Sequence, residues 1–334
     1  MDKILKIIPI GNATQIRSGT VAYVIGPRPY SQEWHGLRKY NPLNEVVVRF
    51  GASEAAQACG MSRYESRLSL YISRVRGFES ESSDDNDDLW LGHELEATTL
   101  RYYVRKTSAN IESCVNCYIS EEYPWLIATP DAMQIGDDGK RFACIDAKHT
   151  SWFAFKSNYG EEYTDEVPTE ILLQAQQQML VMGVDLQYTV VFVDKKLKIF
   201  EVKRSDALCE MLIRETRTMY SCIKEGIPPE PNFDIANDVE IVKKLAVESG
   251  GSGAVTKFDD RILACYLRMK KAAEVRKKIE KIENRLKAEV LNGFGEADVG
   301  VCGGGITLRK SIVHNSGYTK VVEPYSYPVI KEIK

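Results

Sequence analysis

The 334-residue sequence predicts an α/β fold, a mixed sheet with helices on its faces. Three observations carry this. The first is a hairpin pattern at 128–149, where A-T-P-D-A-M-Q-I leads into G-D-D-G and out through R-F-A-C-I-D-A-K-H. Gly136 and Gly139 supply the positive φ that a tight turn needs. The second is a helical run opened by Pro168, followed by two apolar strand-like runs at 187–194 and 197–203. The third is the stretch 258–291, where Ala272, Val275, Ile279, Ile282 and Leu286 step by three and four like a coiled-coil seam.

Taken in order, residues 1–30 read as a β-rich arm, with a strand at 20–25 stopped by Gly26-Pro27. Ser31 is placed to cap a helix running to Lys39. Ser53 is placed to open another, and a further helix fits 64–75. The acidic, low-complexity stretch 79–88 reads as a solvated loop. A helix at 89–106 puts Gly92, Glu96 and Tyr103 near one face. The hairpin follows, then the aromatic segment Trp152, Phe153, Phe155, then a helix over 168–181. That helix carries Gln174, Gln176, Gln177 and Gln178, a run more often found facing solvent. An amphipathic helix at 207–223 precedes G-I-P-P-E-P, and S-G-G-S-G marks a linker. The expected division is an arm at 1–30, a catalytic domain at 31–235, a flexible linker at 236–257, and a long helix plus hairpin at 258–334.

Composition narrows the function classes. A net charge of −3 argues against a protein that coats DNA, though acidic clusters at 79–88 and 161–166 can hide a local basic path. Nothing approaches eighteen consecutive apolar residues, so no span of a membrane is expected. The first residues lack the apolar core of a signal peptide, which points to the cytoplasm. The eight cysteines, Cys114-Val-Asn-Cys117 included, read as reduced and structural, because a metal site needs four converging ligands.

The hairpin holds the candidate chemistry. Strand alternation points Asp146 and Lys148 the same way, and the turn brings Asp131 back beside Asp146. Two converging carboxylates suit a hard divalent cation such as Mg²⁺, which takes oxygen ligands and keeps several waters. Such an ion neutralises charge on phosphate oxygens, and a neighbouring lysine can orient a water. Taken alone, the pattern fits a surface hairpin with solvated charges better than a site.

The flanking residues settle that choice. The stretch P-D…D-x-K, at Pro130-Asp131 and Asp146-Ala147-Lys148, resembles the PD-(D/E)XK nuclease core, restriction-endonuclease-like in fold. More narrowly, the chain resembles the YqaJ-type viral and phage recombination exonucleases, relatives of lambda exonuclease. The matching segments lie in family order: Glu33-Trp34-His35-Gly36-Leu37-Arg38, Gly51-Ala52-Ser53-Glu54-Ala55-Ala56, Gly92-His93-Glu94-Leu95-Glu96, and Gln174-Ala175-Gln176. They span 31–203, roughly half the chain.

The resemblance implies a metal-dependent DNA exonuclease resecting one strand of linear duplex, 5′ to 3′, for recombination. It implies Mg²⁺, with Mn²⁺ as a substitute, held by Asp131, Asp146, the Ala147 carbonyl and Glu96. Lys148 and Gln174 would position the attacking water. Ser53, with Arg49 or Arg38, would hold a DNA 5′-phosphate, although Val46 stands where relatives carry the arginine. Implied partners are double-stranded DNA ends, a single-strand-annealing protein and two further copies in a trimer. A nicking or structure-specific endonuclease, or a non-catalytic DNA-end-binding protein, are the alternatives on the same core.

Overall fold

Alternation along residues 141–149 gives one strand two differently covered faces. Cys144 packs with Ala175 and Met179, whereas Ile145 packs with Leu100 and Tyr103. The strand is therefore sandwiched between two helices, and Asp146 shares the face of Cys144.

The computed structural model describes residues 23–28, 31–38, 48–76, 87–250 and 255–312. It divides into two units, Met1–Lys244 and Leu245–Lys334. The first opens with β1 (Tyr23–Ile25), α1 (Gln32–Arg38), β2 (Phe50–Gly51), α2 (Ala55–Ala58), α3 (Arg67–Arg76) and α4 (Asp87–Thr107). It continues through β3 (Asn110–Ser113), β4 (Tyr118–Ser120), β5 (Leu126–Ala128), β6 (Ala132–Ile135) and β7 (Arg141–His149). Then come α5 (Trp152–Asn158), α6 (Thr169–Met182), β8 (Leu186–Val193), β9 (Lys196–Lys203), α7 (Asp206–Glu225) and α8 (Ala236–Glu248), whose end from Leu245 onward falls in the second unit.

The main sheet has the order β3-β6-β7-β8-β9. Only the β7–β8 pair is parallel, because α5 and α6 supply the crossover between those strands. The β8–β9 hairpin turns on Asp194 and Lys195, both at positive φ (45° and 63°), the two-residue geometry that matches strand twist. A second sheet has the order β1-β4-β5-β2, and β3 of the main sheet comes between its strands in sequence. The strand expected over 128–135 is divided between the sheets: β5 ends at Ala128 and β6 starts at Ala132. Pro130 cannot donate to a ladder, so the chain changes sheets there.

The glutamine run on α6 is buried rather than solvent-facing: Gln176, Gln177 and Gln178 are each 0% exposed. Gln177 Nε2 donates to the carbonyls of Phe50 (2.9 Å) and Ile127 (3.0 Å), clamping the two-residue strand β2 to β5. Gln176 Nε2 donates to the Lys203 carbonyl, and Gln176 Oε1 accepts from the Ser205 N–H. The polar run staples backbone at three places.

Residues 236–248 correct the expected linker, since they form α8. Asp238 anchors it: the buried carboxylate accepts from the Ser66 hydroxyl at the head of α3 and from the Asn232 N–H (2.7 Å). Asn237 Nδ2 adds a bond to Glu65 (2.7 Å). Of the expected N-terminal arm only residues 23–28 are described, so the start of the strand at 20–25 lies outside them, as does most of the loop at 79–88.

The second unit holds α9 (Asp260–Phe294), 35 residues capped by Asp259, whose carboxylate accepts from the Ile262 N–H at 2.9 Å. The expected seam is present and exposed along the helix. A short hairpin, β10 (Val299–Val301) and β11 (Thr307–Arg309), follows, and Phe294 lies against its Gly300. The expected end of the tail, 318–327, is outside the described residues. Among the described residues no helix is long and apolar enough to cross a membrane.

Replacing Gln177 by Leu strands two buried carbonyls, at roughly 1–3 kcal/mol for such a loss. Gln177→Leu should lower the urea midpoint with the slope unchanged; a midpoint equal to wild type would show that β2 does not depend on this clamp.

Candidate active site

The β6–β7 register puts Ala132 opposite Ile145, which leaves Asp131 beside Asp146. Backbone bonds fix Asp131 in place. Its N–H donates to the Ile145 carbonyl (3.1 Å), and its own carbonyl accepts from the Cys114 N–H (3.0 Å). Its side chain is held as well, with Oδ2 accepting from the Ala147 N–H at 2.6 Å.

Asp146 is 1% exposed and is surrounded by donors. Oδ1 accepts from Gln174 Nε2 (2.9 Å) and, more weakly, from Gln178 Nε2 (3.4 Å). Lys148 Nζ lies 2.7 Å from Oδ2. Glu96 comes from α4 and shares electrostatic contact with Asp131, Asp146, Lys148 and His93. The structure thus brings together Asp131, Asp146, Lys148, Gln174 and Glu96. Gln178 and Tyr159 are additions that sequence reasoning missed. Gln178 stands one turn after Gln174, a spacing that could have flagged it. Tyr159, its hydroxyl pushed up to about 12 by burial despite the pull of Lys148, has no comparable sequence signal.

The site carries more acid than base. Burial and the neighbouring Asp146 push the Asp131 carboxyl well above its ordinary range, although Lys148 opposes them. Burial also raises Glu96, offset in part by His93. Burial would lower Lys148, but Asp146 and Asp131 outweigh it and raise its pKa. Carboxylates forced together under partial burial suit a bound cation. Among the described residues no group of three His, Cys, Asp or Glu side chains forms a ready-made cage. The donor set that fits is the one a hard ion uses against a phosphate: Asp131, Asp146, a backbone carbonyl and water.

Of the residues expected to hold a DNA 5′-phosphate, Ser53 and Arg38 meet at one turn, whereas Arg49 is buried. Ser53 is exposed in a 3-10 turn over Ala52–Glu54 and does not cap it; Glu54 does the local work, accepting from the Gly51 N–H at 2.8 Å. Burial would raise Glu54, but ion pairs with Arg38 (2.5 Å) and Arg74 outweigh it and hold the acid at about 2. Arg38 also lies over the Trp34 ring at 4.4 Å. Arg49 is buried close to Cys117 and Tyr220. Burial pushes the Cys114 and Cys117 thiols up to about 11, and all eight cysteines are free.

A hairpin that delivers Pro130-Asp131 and Asp146-Ala147-Lys148 to one point, backed by a glutamine helix, defines the PD-(D/E)XK fold class, with aspartate at its second acidic position. Residues 33–185, just under half the chain, match the model of the YqaJ-like viral recombinase domain. No curated protein matches the chain. Among solved structures, an alkaline exonuclease from Laribacter hongkongensis (LHK-Exo) aligns at 18% identity and a TM-score of 0.45, covering 66% of this chain and 100% of that one. The same protein in complex with dAMP aligns at 19% identity and 0.43, over 60% and 95% of the two chains. A phage-related exonuclease from Haemophilus somnus 129PT aligns at 10% identity and 0.39, over 54% and 96%.

A carboxyl raised by the fold stays protonated in the native state above the pH at which the unfolded chain ionises. Below the ordinary aspartate pKa it costs nothing; as pH rises toward its folded pKa, stability is lost. Metal-free Asp131→Asn should therefore melt above wild type at neutral pH, with the gap closing near pH 3–4. Divalent metal should raise the melting temperature of wild type but not of the variant. Equal metal-induced shifts in both would remove Asp131 from the cation site.

Proposed function

We propose that the protein is a metal-dependent deoxyribonuclease of the exonuclease type, removing one strand of linear duplex DNA from its 5′ end. The observation that carries this reading is the convergence of Asp131 and Asp146 with Lys148 on one hairpin, inside a YqaJ-like recombinase domain. Asp131 and Asp146 would hold Mg²⁺, with Mn²⁺ able to replace it, and the Ala147 carbonyl and Glu96 completing the set directly or through water. The bound ion supplies charge neutralisation at the scissile phosphate and acidifies water.

The chain's own residues do the positioning. The Ala147 N–H fixes Asp131 Oδ2, which leaves Oδ1 as the oxygen that would face the cation. Gln174 holds Asp146 from behind. Lys148, half-buried beside Asp146, donates to the water that attacks phosphorus and to the non-bridging oxygens as charge builds there. Water oxygen bonds to phosphorus and gives up a proton to solvent, the bond to the departing sugar oxygen breaks, and that oxygen takes up a proton from solvent. Ser53, on its exposed turn beside Glu54 and Arg38, is the candidate contact for a 5′-phosphate; Arg38 serves that role better than the buried Arg49. A single-strand-annealing protein would receive the exposed strand, and a ring of three copies would keep the enzyme on its duplex.

Digestion of linear duplex labelled at either end separates the outcomes. With Mg²⁺, 5′ label should be released as mononucleotide before 3′ label, and covalently closed circles should survive; EDTA, Asp131→Asn and Asp146→Asn should each abolish release. Nicking of closed circles would favour the endonuclease reading, and early release of the 3′ label would reverse the polarity.

A further inference from the structure

Asp146 has polar neighbours that the chemistry above does not use. The parallel β7–β8 register sets Asp146 beside Thr189 and Cys144 beside Gln187. Alternation therefore places Thr189 and Gln187 on the same face of the sheet as Asp146, the face that α6 covers. Gln178 enters from α6 and reaches Asp146 Oδ1 at 3.4 Å. All three side chains are 0% exposed.

These groups are unusual in one respect. Both side-chain polar atoms of Gln187, the Thr189 hydroxyl and Gln178 Oε1 lack a hydrogen-bond partner among the described protein groups. Buried polar atoms are nearly always satisfied, and an apolar residue of similar shape avoids the cost of burying them. Across the next strand pair, Gln187 faces Val202 and Thr189 faces Phe200, so the surroundings are apolar and would accept such a residue. The polarity is confined to the row that ends at Asp146. Gln178 Nε2 already reaches the carboxylate, and because amide and hydroxyl groups both donate and accept, buried water between Gln187, Thr189 and Gln178 would join all three to it.

We propose that Gln178, Gln187 and Thr189 are positioning residues, a buried polar floor that fixes the orientation of the Asp146 carboxylate toward the cation. The proposal rests on reading Asp131 and Asp146 as a metal site. Partners behind a metal ligand fix its orientation, and losing one typically costs about 10–100-fold in metal affinity or activity. Removing an unpartnered buried polar atom also relieves the cost of its burial. Function and stability should therefore move in opposite directions, which a purely structural role would not produce.

The test compares Thr189→Val, Thr189→Ser, Gln187→Met and Asp146→Asn in the full chain. Three quantities are measured: metal-free melting temperature, Mn²⁺ affinity by electron paramagnetic resonance, and kcat and KM on linear duplex. Thr189→Val and Gln187→Met should melt at or above wild type, bind Mn²⁺ about tenfold more weakly and lose kcat with KM for DNA unchanged. Thr189→Ser, which keeps the hydroxyl, should regain most of the Mn²⁺ affinity. Wild-type Mn²⁺ affinity in both Thr189→Val and Gln187→Met would overturn the proposal, as would equal weakness in Thr189→Ser and Thr189→Val. Should Asp146→Asn also bind Mn²⁺ like wild type, the metal-site reading itself fails; if Asp146→Asn loses Mn²⁺ while the other variants keep it, only the polar floor fails.

Discussion

Taking a carboxylate out of water is costly unless donors replace the water it loses. Asp146 is 1% exposed, and much of the first unit can be read as the supply of those donors. Gln174 and Gln178 reach it from α6, and Lys148 reaches it from its own strand. For those bonds to form, α6 must lie on the Cys144 face of β7 and present one polar turn within an apolar helix. The other glutamines of that helix then serve as backbone clamps, holding β2, β5 and the end of β9 around the same element. The buried acid therefore dictates which side of the sheet the crossover helix takes and what sequence it carries.

Asp131 supplies the complementary constraint. Its backbone is fixed by the hairpin register and its side chain by the Ala147 N–H, so it cannot swing away from Asp146. Burial first, and then the neighbouring Asp146, raise its carboxyl against the opposing pull of Lys148 and the Ala147 N–H. Two acids forced together, one of them reluctant to ionise, are a setting whose charge the proposed divalent cation would balance. Lys148 offsets one of the two carboxylates, not both.

The parts legible in sequence were those set by local chemistry. The Gly136–Gly139 turn, the alternation of β7 and the Ser31 cap are short-range features, and the first two place Asp131, Asp146 and Lys148 without knowledge of the rest. The buried glutamines were not legible, because hydropathy cannot separate a glutamine that stitches distant backbone from one in solvent. Gln177 bonds residues 50 and 127 positions away, and no window of sequence contains both ends. The helix at 236–248 was hidden for a similar reason. Its anchor is a buried Asp238 bonded to Ser66, and an aspartate near G-I-P-P-E-P reads as loop chemistry. The arginines near Ser53 show the same limit: proximity in sequence favoured Arg49, yet burial takes it inside and the Glu54 cluster brings Arg38 to the turn.

The central claim is that Asp131 and Asp146 share one divalent cation. Anomalous diffraction from crystals soaked in Mn²⁺ tests it most directly. The geometry predicts a single strong peak between the two carboxylates, about 2.0–2.2 Å from an oxygen of each, as expected for a small hard cation. A peak lost in Asp131→Asn crystals would confirm the assignment. Strong Mn²⁺ density elsewhere, with Asp146 still paired only to Lys148 and the α6 glutamines, would contradict it.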